Sequence, residues 1–324
     1  MQPRPPEPAP SSWRVLITGG AGFVGSHLVR RCVEEGHDVH VLIRPTTDAA
    51  RLRELLPAIR VHRLAIGDHA ALRACLDEAR PTHVFHLAYG TARRHDGSLA
   101  SAEASVGDLA DLLGLMEAVA ASPEPSRCFL RTGSIAEYGE AATPFHEDQH
   151  EQPTNGYAAA IVAGTHYAGA MASSLPFPIV TARLALVYGP GQAEDFLVPG
   201  LVSACLAHQP FTIRRPLDRR DLIHVEDAAE ALCRLADAPI TGSLIVNIGS
   251  GETVSVGELA ERIAAAVGTD TTFAQRMPQA DPVTLQLAVE RMKALTGWSP
   301  RIGLDEGLCG LIRDKRRARV PEAA

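Results

Sequence analysis

Three glycines, Gly19, Gly22 and Gly25, lie in 18-TGGAGFVG-25, between the apolar run RVLIT and the helix-like SHLVRRCVEEG. Glycine permits a tight turn, lets backbone N–H groups approach a phosphate, and allows a helix to pack closely on a strand. A turn that opens a helix also presents unpaired N–H groups and the positive end of the helix dipole to an anion. Strand, glycine turn and helix in this order predict a pyrophosphate seat for a dinucleotide. The residue ending the next strand selects which one. In 39-VHVLIR-44, Ile43 stands where an acidic residue would hydrogen-bond a ribose 2′-hydroxyl, and Arg44 follows. A guanidinium can pair with a 2′-phosphate and stack on adenine. Arg44 favours NADP(H), with NAD(H) the alternative; a surface arginine after a strand would read the same way.

The elements that must hold this turn are short apolar runs alternating with helix-length segments. RVLIT, DVHVLI, IRVHRL, HVFHLA and RCFLRT read as strands, with helical patterns around residues 23–35, 69–79 and 100–121. Such alternation implies βαβ units, hence an α/β fold with a parallel sheet covered by helices on both faces. Beyond about residue 184 the pattern loosens into a smaller, substrate-facing part interleaved with the sheet domain. The expected division is a disordered tail at 1–12, a dinucleotide-binding domain at 13–183 and a substrate-binding part at 184–318, with 220–237 returning to the sheet domain.

Composition bounds the function classes. The chain has 324 residues, 46% hydrophobic and 21% charged, with a formal charge of −7. A core of ordinary size is expected, and a nucleic-acid-binding surface is not. Six scattered cysteines form no CxxC pair and no Cys/His ligand spacing, which predicts reduced thiols in the cytoplasm and no metal site. No apolar run approaches the roughly 18 residues of a membrane span. Five prolines in the first ten residues predict the disordered tail, and 313-RDKRRARVPEAA-324 reads as a solvated helix end.

Several separated motifs stand in a telling order: TGGAGFVG, Gly67-Asp68, HLAYG at 86–90, GSIAEYG at 133–139, Tyr157, RLALVYGPGQ at 183–192, RRDLIHVEDAAEA at 219–231, NIGSGE at 247–252 and TGWSP. With them the chain resembles, from about Arg14 to Leu311, the extended short-chain dehydrogenase/reductase family of nucleotide-sugar epimerases, dehydratases and ketoreductases. The resemblance implies a Rossmann-type doubly wound parallel sheet with a smaller interleaved substrate-binding domain. It assigns the cofactor to Gly19, Gly22, Phe23, Val24, Gly25, Arg44, Asp68, Leu87, Ala88, Tyr89 and Tyr157, with Asp68 on the adenine and Ala88 and Tyr89 beside the nicotinamide. Ser134 takes the place of the residue that hydrogen-bonds the substrate oxygen, and Tyr157 that of the general acid/base. Arg220 and Arg276 match the arginines that grip a nucleotide-sugar diphosphate. A homodimer is one assembly the resemblance allows.

The chain departs from the family at telling places. The lysine expected four residues after the tyrosine is Ile161, and the only lysines are Lys293 and Lys315. In the family that lysine holds the nicotinamide ribose and lowers the tyrosine pKa. Without it Tyr157 is expected nearer the ordinary value of about 10, protonated at neutral pH. A protonated phenol suits carbonyl reduction and does not suit starting an alcohol oxidation. Dehydratases carry an Asp-Glu pair after the Ser/Thr; here those places are Ile135 and Ala136, while Glu137, one position on, reads as a helix or loop charge. Leu186 replaces an asparagine that would touch the sugar nucleotide. The leading expectation is an NADPH-dependent reductase of a nucleotide-linked keto-sugar, a 4-keto-6-deoxyhexose of secondary metabolism. The alternatives are a nucleotide-sugar 4-epimerase, a reductase of a non-nucleotide ketone, and a catalytically idle cofactor-binding protein.

Overall fold

The computed structural model describes residues 12–89, 102–270, 273–275 and 281–319. Residues 1–11 of the expected tail, Arg276 and the last five residues lie outside them. The N-terminal half runs β1 (Arg14–Thr18), α1 (Phe23–Glu34), β2 (Asp38–Ile43), β3 (Ile59–Arg63), α2 (His69–Ala79), β4 (His83–His86), α3 (Ala102–Ala120), β5 (Cys128–Ser134), α4 (Gly156–Met171) and β6 (Ile179–Leu184). It continues through β7 (Leu186–Tyr188), α5 (Leu197–Leu206), β8 (Phe211–Ile213), β9 (Arg219–His224), α6 (Val225–Ala236), β10 (Ser243–Ile248), β11 (Thr253–Ser255) and α7 (Val256–Val267). The last elements are β12 (Phe273–Gln275), β13 (Thr284–Leu285), α8 (Glu290–Thr296) and α9 (Leu304–Arg319).

Seven strands form one sheet in the order β10-β6-β5-β4-β1-β2-β3, every neighbouring pair parallel. Helices cover both faces, so the inner strands are buried on both sides and read as continuous apolar runs. Val15, Ile17, Val39 and Val41 pack toward α1 and α6, whereas Leu16, Leu42, Val84 and Phe129 pack toward α2 and α3. The chain reverses its direction of travel across the sheet between β1 and β4, and ligands of such sheets bind at that crevice, beyond the carboxyl ends of the strands.

A second, mixed sheet of β11, β9 and β13, with β7 paired to β9, packs with α5, α7 and α9 around Leu201, Leu259 and Leu311. For the proposed division at residue 184, the elements that rejoin the large sheet are α6, whose Leu232 and Leu235 share the core with Leu28 of α1, and β10. Strand β9 stays with the smaller sheet.

Candidate active site

The glycine turn sits at the crevice. Gly19 has φ +72°, a left-handed conformation open to glycine, and a Cβ there would meet the backbone of Leu87 and Ala88 at 2.6–2.7 Å. The end of β4 thus forms the floor of the turn, fixed by Leu87 N–H donating to Thr18 O at 3.1 Å. A Cβ on Gly25 would lie 2.2 Å from Gly19 O, so this glycine serves helix packing. Gly22, the residue before α1, is different: a Cβ there meets only Gly19 O, at 3.1 Å, and otherwise faces open space. An exposed, side-chain-free helix start is what a pyrophosphate needs, and the cradle fits a dinucleotide. Phe23 and Val24 follow as the half-buried first residues of α1. Arg44 is exposed directly after β2; burial and Asp108 raise the Asp111 carboxyl of α3, and Arg44 lies near enough to oppose part of that rise. Asp68 caps α2, accepting from Ala71 N–H at 3.1 Å.

The reaction end lies where β5 meets α4. Ser134 closes β5 and caps the short turn Ile135–Glu137: its Oγ accepts from Ala136 N–H at 3.1 Å, which leaves its own O–H to donate. Tyr157 is half-buried in the first turn of α4, whose start Asn155 caps by accepting from Ala158 N–H at 2.9 Å. Ile161 follows one turn later on the same face, 2% exposed and packed into the protein. No cation projects from the helix at the position where the family carries its lysine.

Around these residues the fold holds a charge network that sequence reading missed. Glu137, expected as a helix or loop charge, is fully buried. Its carboxylate accepts from Ser134 N–H at 2.9 Å, Thr165 O–H at 2.8 Å and Arg183 Nε at 3.1 Å. Arg183, also fully buried, pairs with Glu151 as well and lies over the Tyr138 ring, 4.5 Å from its centroid. Burial alone would lower the Arg183 pKa, but Glu137 and its other partners more than offset that and raise it. Burial likewise pushes Glu151 up, but hydrogen bonds and Arg183 leave it below the ordinary value, and His166 Nε2 lies 3.3 Å from it at the surface. A second buried guanidinium, Arg131 of β5, reaches Tyr89 Oη, Thr165 Oγ1 and Ile161 O. The sequence signal for both is an arginine inside an apolar strand, where burial favours pairing the guanidinium with acceptors; among the described residues Arg183 Nη1 is buried without one.

On the substrate side Arg220 is engaged. Its Nη2 meets Asp218 at 2.8 Å and its Nη1 donates to Arg219 O and Val283 O, so it ties β9 to the strand beside it. Arg276 lies outside the described residues. The fold also brings together His40, His62 and Glu78, far apart in sequence, with ligand atoms within 4.8 Å of one another. Arg60 Nη1 lies 3.3 Å from His40 Nε2, and His40 Nδ1 lies 2.9 Å from His62 Nε2. Arg60 can only donate, so His40 donates in turn to His62, and these nitrogens are satisfied by one another.

Comparison with known proteins agrees with this geometry. The UDP-glucose 4-epimerase of Corynebacterium glutamicum is 30% identical over 309 residues, covering 89% of this chain and 91% of that protein. The dTDP-D-glucose 4,6-dehydratase of Mus musculus is 26% identical over 312 residues, covering 91% and 86%. The crystal structure of the Thermus thermophilus UDP-glucose 4-epimerase in complex with NAD superposes with a TM-score of 0.80 at 27% identity, covering 94% of this chain and 99% of that one. Residues 15–249 match the model of one family, so the chain belongs to the NAD dependent epimerase/dehydratase family, an extended branch of the short-chain dehydrogenases/reductases.

Proposed function

We propose that this chain is an oxidoreductase of a nucleotide-activated sugar, and that it reduces a keto-sugar, a 4-keto-6-deoxyhexose, with NADPH. The observation that carries the reading is the buried Ile161 in place of the family lysine. A bound reduced nicotinamide supplies hydride. Tyr157 holds the proton that the substrate oxygen receives, and Ile161 places no cation four residues along its helix to favour the phenolate. Ser134, with its O–H unused by capping, steadies the developing negative charge on that oxygen. The dehydratase acids are absent, since Ile135 and Ala136 offer no proton-carrying group. Arg44 supports the choice of NADPH through pairing with a 2′-phosphate. Diphosphate recognition falls to Arg276 and to the donors of Arg220 left over from Asp218, Arg219 O and Val283 O.

A second reading, a UDP-sugar 4-epimerase using NAD, is favoured by nearly full-length similarity to the C. glutamicum and T. thermophilus epimerases. One experiment separates the two. The purified protein is incubated with NADPH and a panel of 4-keto-sugar nucleotides, following cofactor absorbance, and in parallel with UDP-glucose and NAD, following UDP-galactose. Consumption of NADPH only with keto-sugars supports the reductase. Interconversion of the UDP-hexoses without net cofactor turnover rejects it in favour of the epimerase.

A further inference from the structure

The loss of the family lysine coincides with a buried cation that reaches the same helix from another direction. Arg131 lies in β5 between Phe129 and Gly133 and is fully buried. Its hydrogen bonds among the described residues go to neutral groups. Nη2 donates to Ile161 O at 3.2 Å, Nη1 to Thr165 Oγ1 at 2.7 Å and Thr181 Oγ1 at 3.3 Å, and Nε to the Tyr89 oxygen at 2.8 Å. The guanidinium is therefore anchored to the backbone of the residue that replaces lysine, one turn deeper along α4 than Tyr157. Burying a guanidinium carries a large desolvation penalty, and an apolar residue of similar volume would serve packing as well or better. Its retention here calls for more than packing.

What Arg131 holds is Tyr89. This residue follows Leu87 and Ala88, the floor of the glycine turn. Its ring stands edge-on to His86, 5.4 Å between centroids, and His86 is bonded to Thr18 at the end of β1. The phenol thus bridges the cofactor cradle and the helix turn that would carry the lysine. Arg131 donates to the phenol oxygen and has nothing to accept with, so among the described residues the Tyr89 O–H is left as a donor.

We propose that Arg131 and Tyr89 together replace the absent lysine, Arg131 as a positioning residue that holds the phenol and Tyr89 as the donor to the nicotinamide-ribose hydroxyls. This rests on the dinucleotide-binding reading above. It explains how the chain tolerates Ile161: the ribose keeps a donor, while the positive charge is held within the fold by β5 instead of reaching out from α4.

The test is calorimetric titration of parent and Tyr89→Phe protein with NADPH and, separately, with ADP, which lacks the nicotinamide riboside. Tyr89→Phe should weaken NADPH roughly 3- to 10-fold, the value of one hydrogen bond, and leave ADP unchanged. Arg131→Lys keeps a cation but cannot reach Tyr89, Thr165 and Ile161 at once, so it should weaken NADPH and spare ADP as well. Should Arg131→Lys fail to fold, Tyr89→Phe still decides the matter. Equal losses for NADPH and ADP would mark a structural role and overturn the proposal, as would NADPH affinity unchanged in Tyr89→Phe. If the parent binds neither nucleotide, the dinucleotide reading falls and this one with it; if the parent binds both and the variant matches it, this one falls alone.

Discussion

The two ends of the crevice are built by opposite means. At the β1–α1 turn the side chains are removed: Gly19, Gly22 and Gly25 leave backbone to do the work, and each is constrained by atoms within a few residues or by the adjacent strand. At the β5–α4 end charged side chains are packed in. Arg131, Arg183 and Glu137 are fully buried, and their partners come from the segment after β4, from β5, β6 and α4, and from the segment before α4. The difference teaches that the glycine turn and the β5–α4 end are held together in different ways. The first is local and follows the family closely, while the second is tertiary and departs from it.

The comparison breaks most sharply at Gly22. Gly22→Val should abolish dinucleotide binding while the fold survives, because the valine branches enter open space where the pyrophosphate is expected. Gly25→Val should instead damage folding, since its Cβ would lie 2.2 Å from Gly19 O. Cofactor titration with circular dichroism on both variants checks this; a Gly22→Val protein that binds normally would show that the phosphate sits elsewhere.

At the other end, Tyr157→Phe should lower turnover roughly 10²–10⁴-fold with cofactor affinity nearly intact. Near-normal steady-state rates would mean that the proton comes from another group. Arg183→Met leaves Glu137 as a buried, poorly compensated carboxylate and should cost about 3–5 kcal/mol of stability. Adding Glu137→Gln should recover part of it. Urea denaturation reads both, and a loss under about 1 kcal/mol, as for a surface pair, would contradict the network described here.

Arg44→Ala should erase a preference for NADPH over NADH worth roughly 1.5–3 kcal/mol, the range for hydrogen bonds to charged groups. Equal affinities of the parent for the two cofactors would remove the basis for choosing NADPH. The smallest effect at neutral pH concerns His86, fully buried at the end of β4, whose pKa burial lowers to about 3 from 6.5. The unfolded chain binds its proton below 6.5 and the folded one does not, so stability falls as pH drops from about 6.5 toward about 3. His86→Asn should flatten that acid limb of the stability curve and change little at pH 7; an unchanged limb would assign it to other groups, His83 among them, which burial lowers to about 4.

Local order was legible in the residues because its causes are local. The strand runs at 14–18, 38–43 and 127–132 and the glycine turn between the first strand and α1 follow from apolar periodicity and from backbone freedom at Gly19. The absence of lysine at 161 and of the acidic pair at 135 and 136 is equally plain in the sequence. Tertiary structure alone decided what fills those gaps. Arg131 and Ile161 are 30 residues apart, Arg131 and Tyr89 are 42, and Arg183 and Glu137 are 46. No pattern of spacing brings such pairs together. They meet because parallel strands β4, β5 and β6 lie side by side under α4, and because a buried guanidinium must find its acceptors wherever the sheet puts them. Arg220 makes the same point from the other side: its residue type suits a diphosphate, and the neighbouring Asp218, buried beside it, has taken one end of its fork.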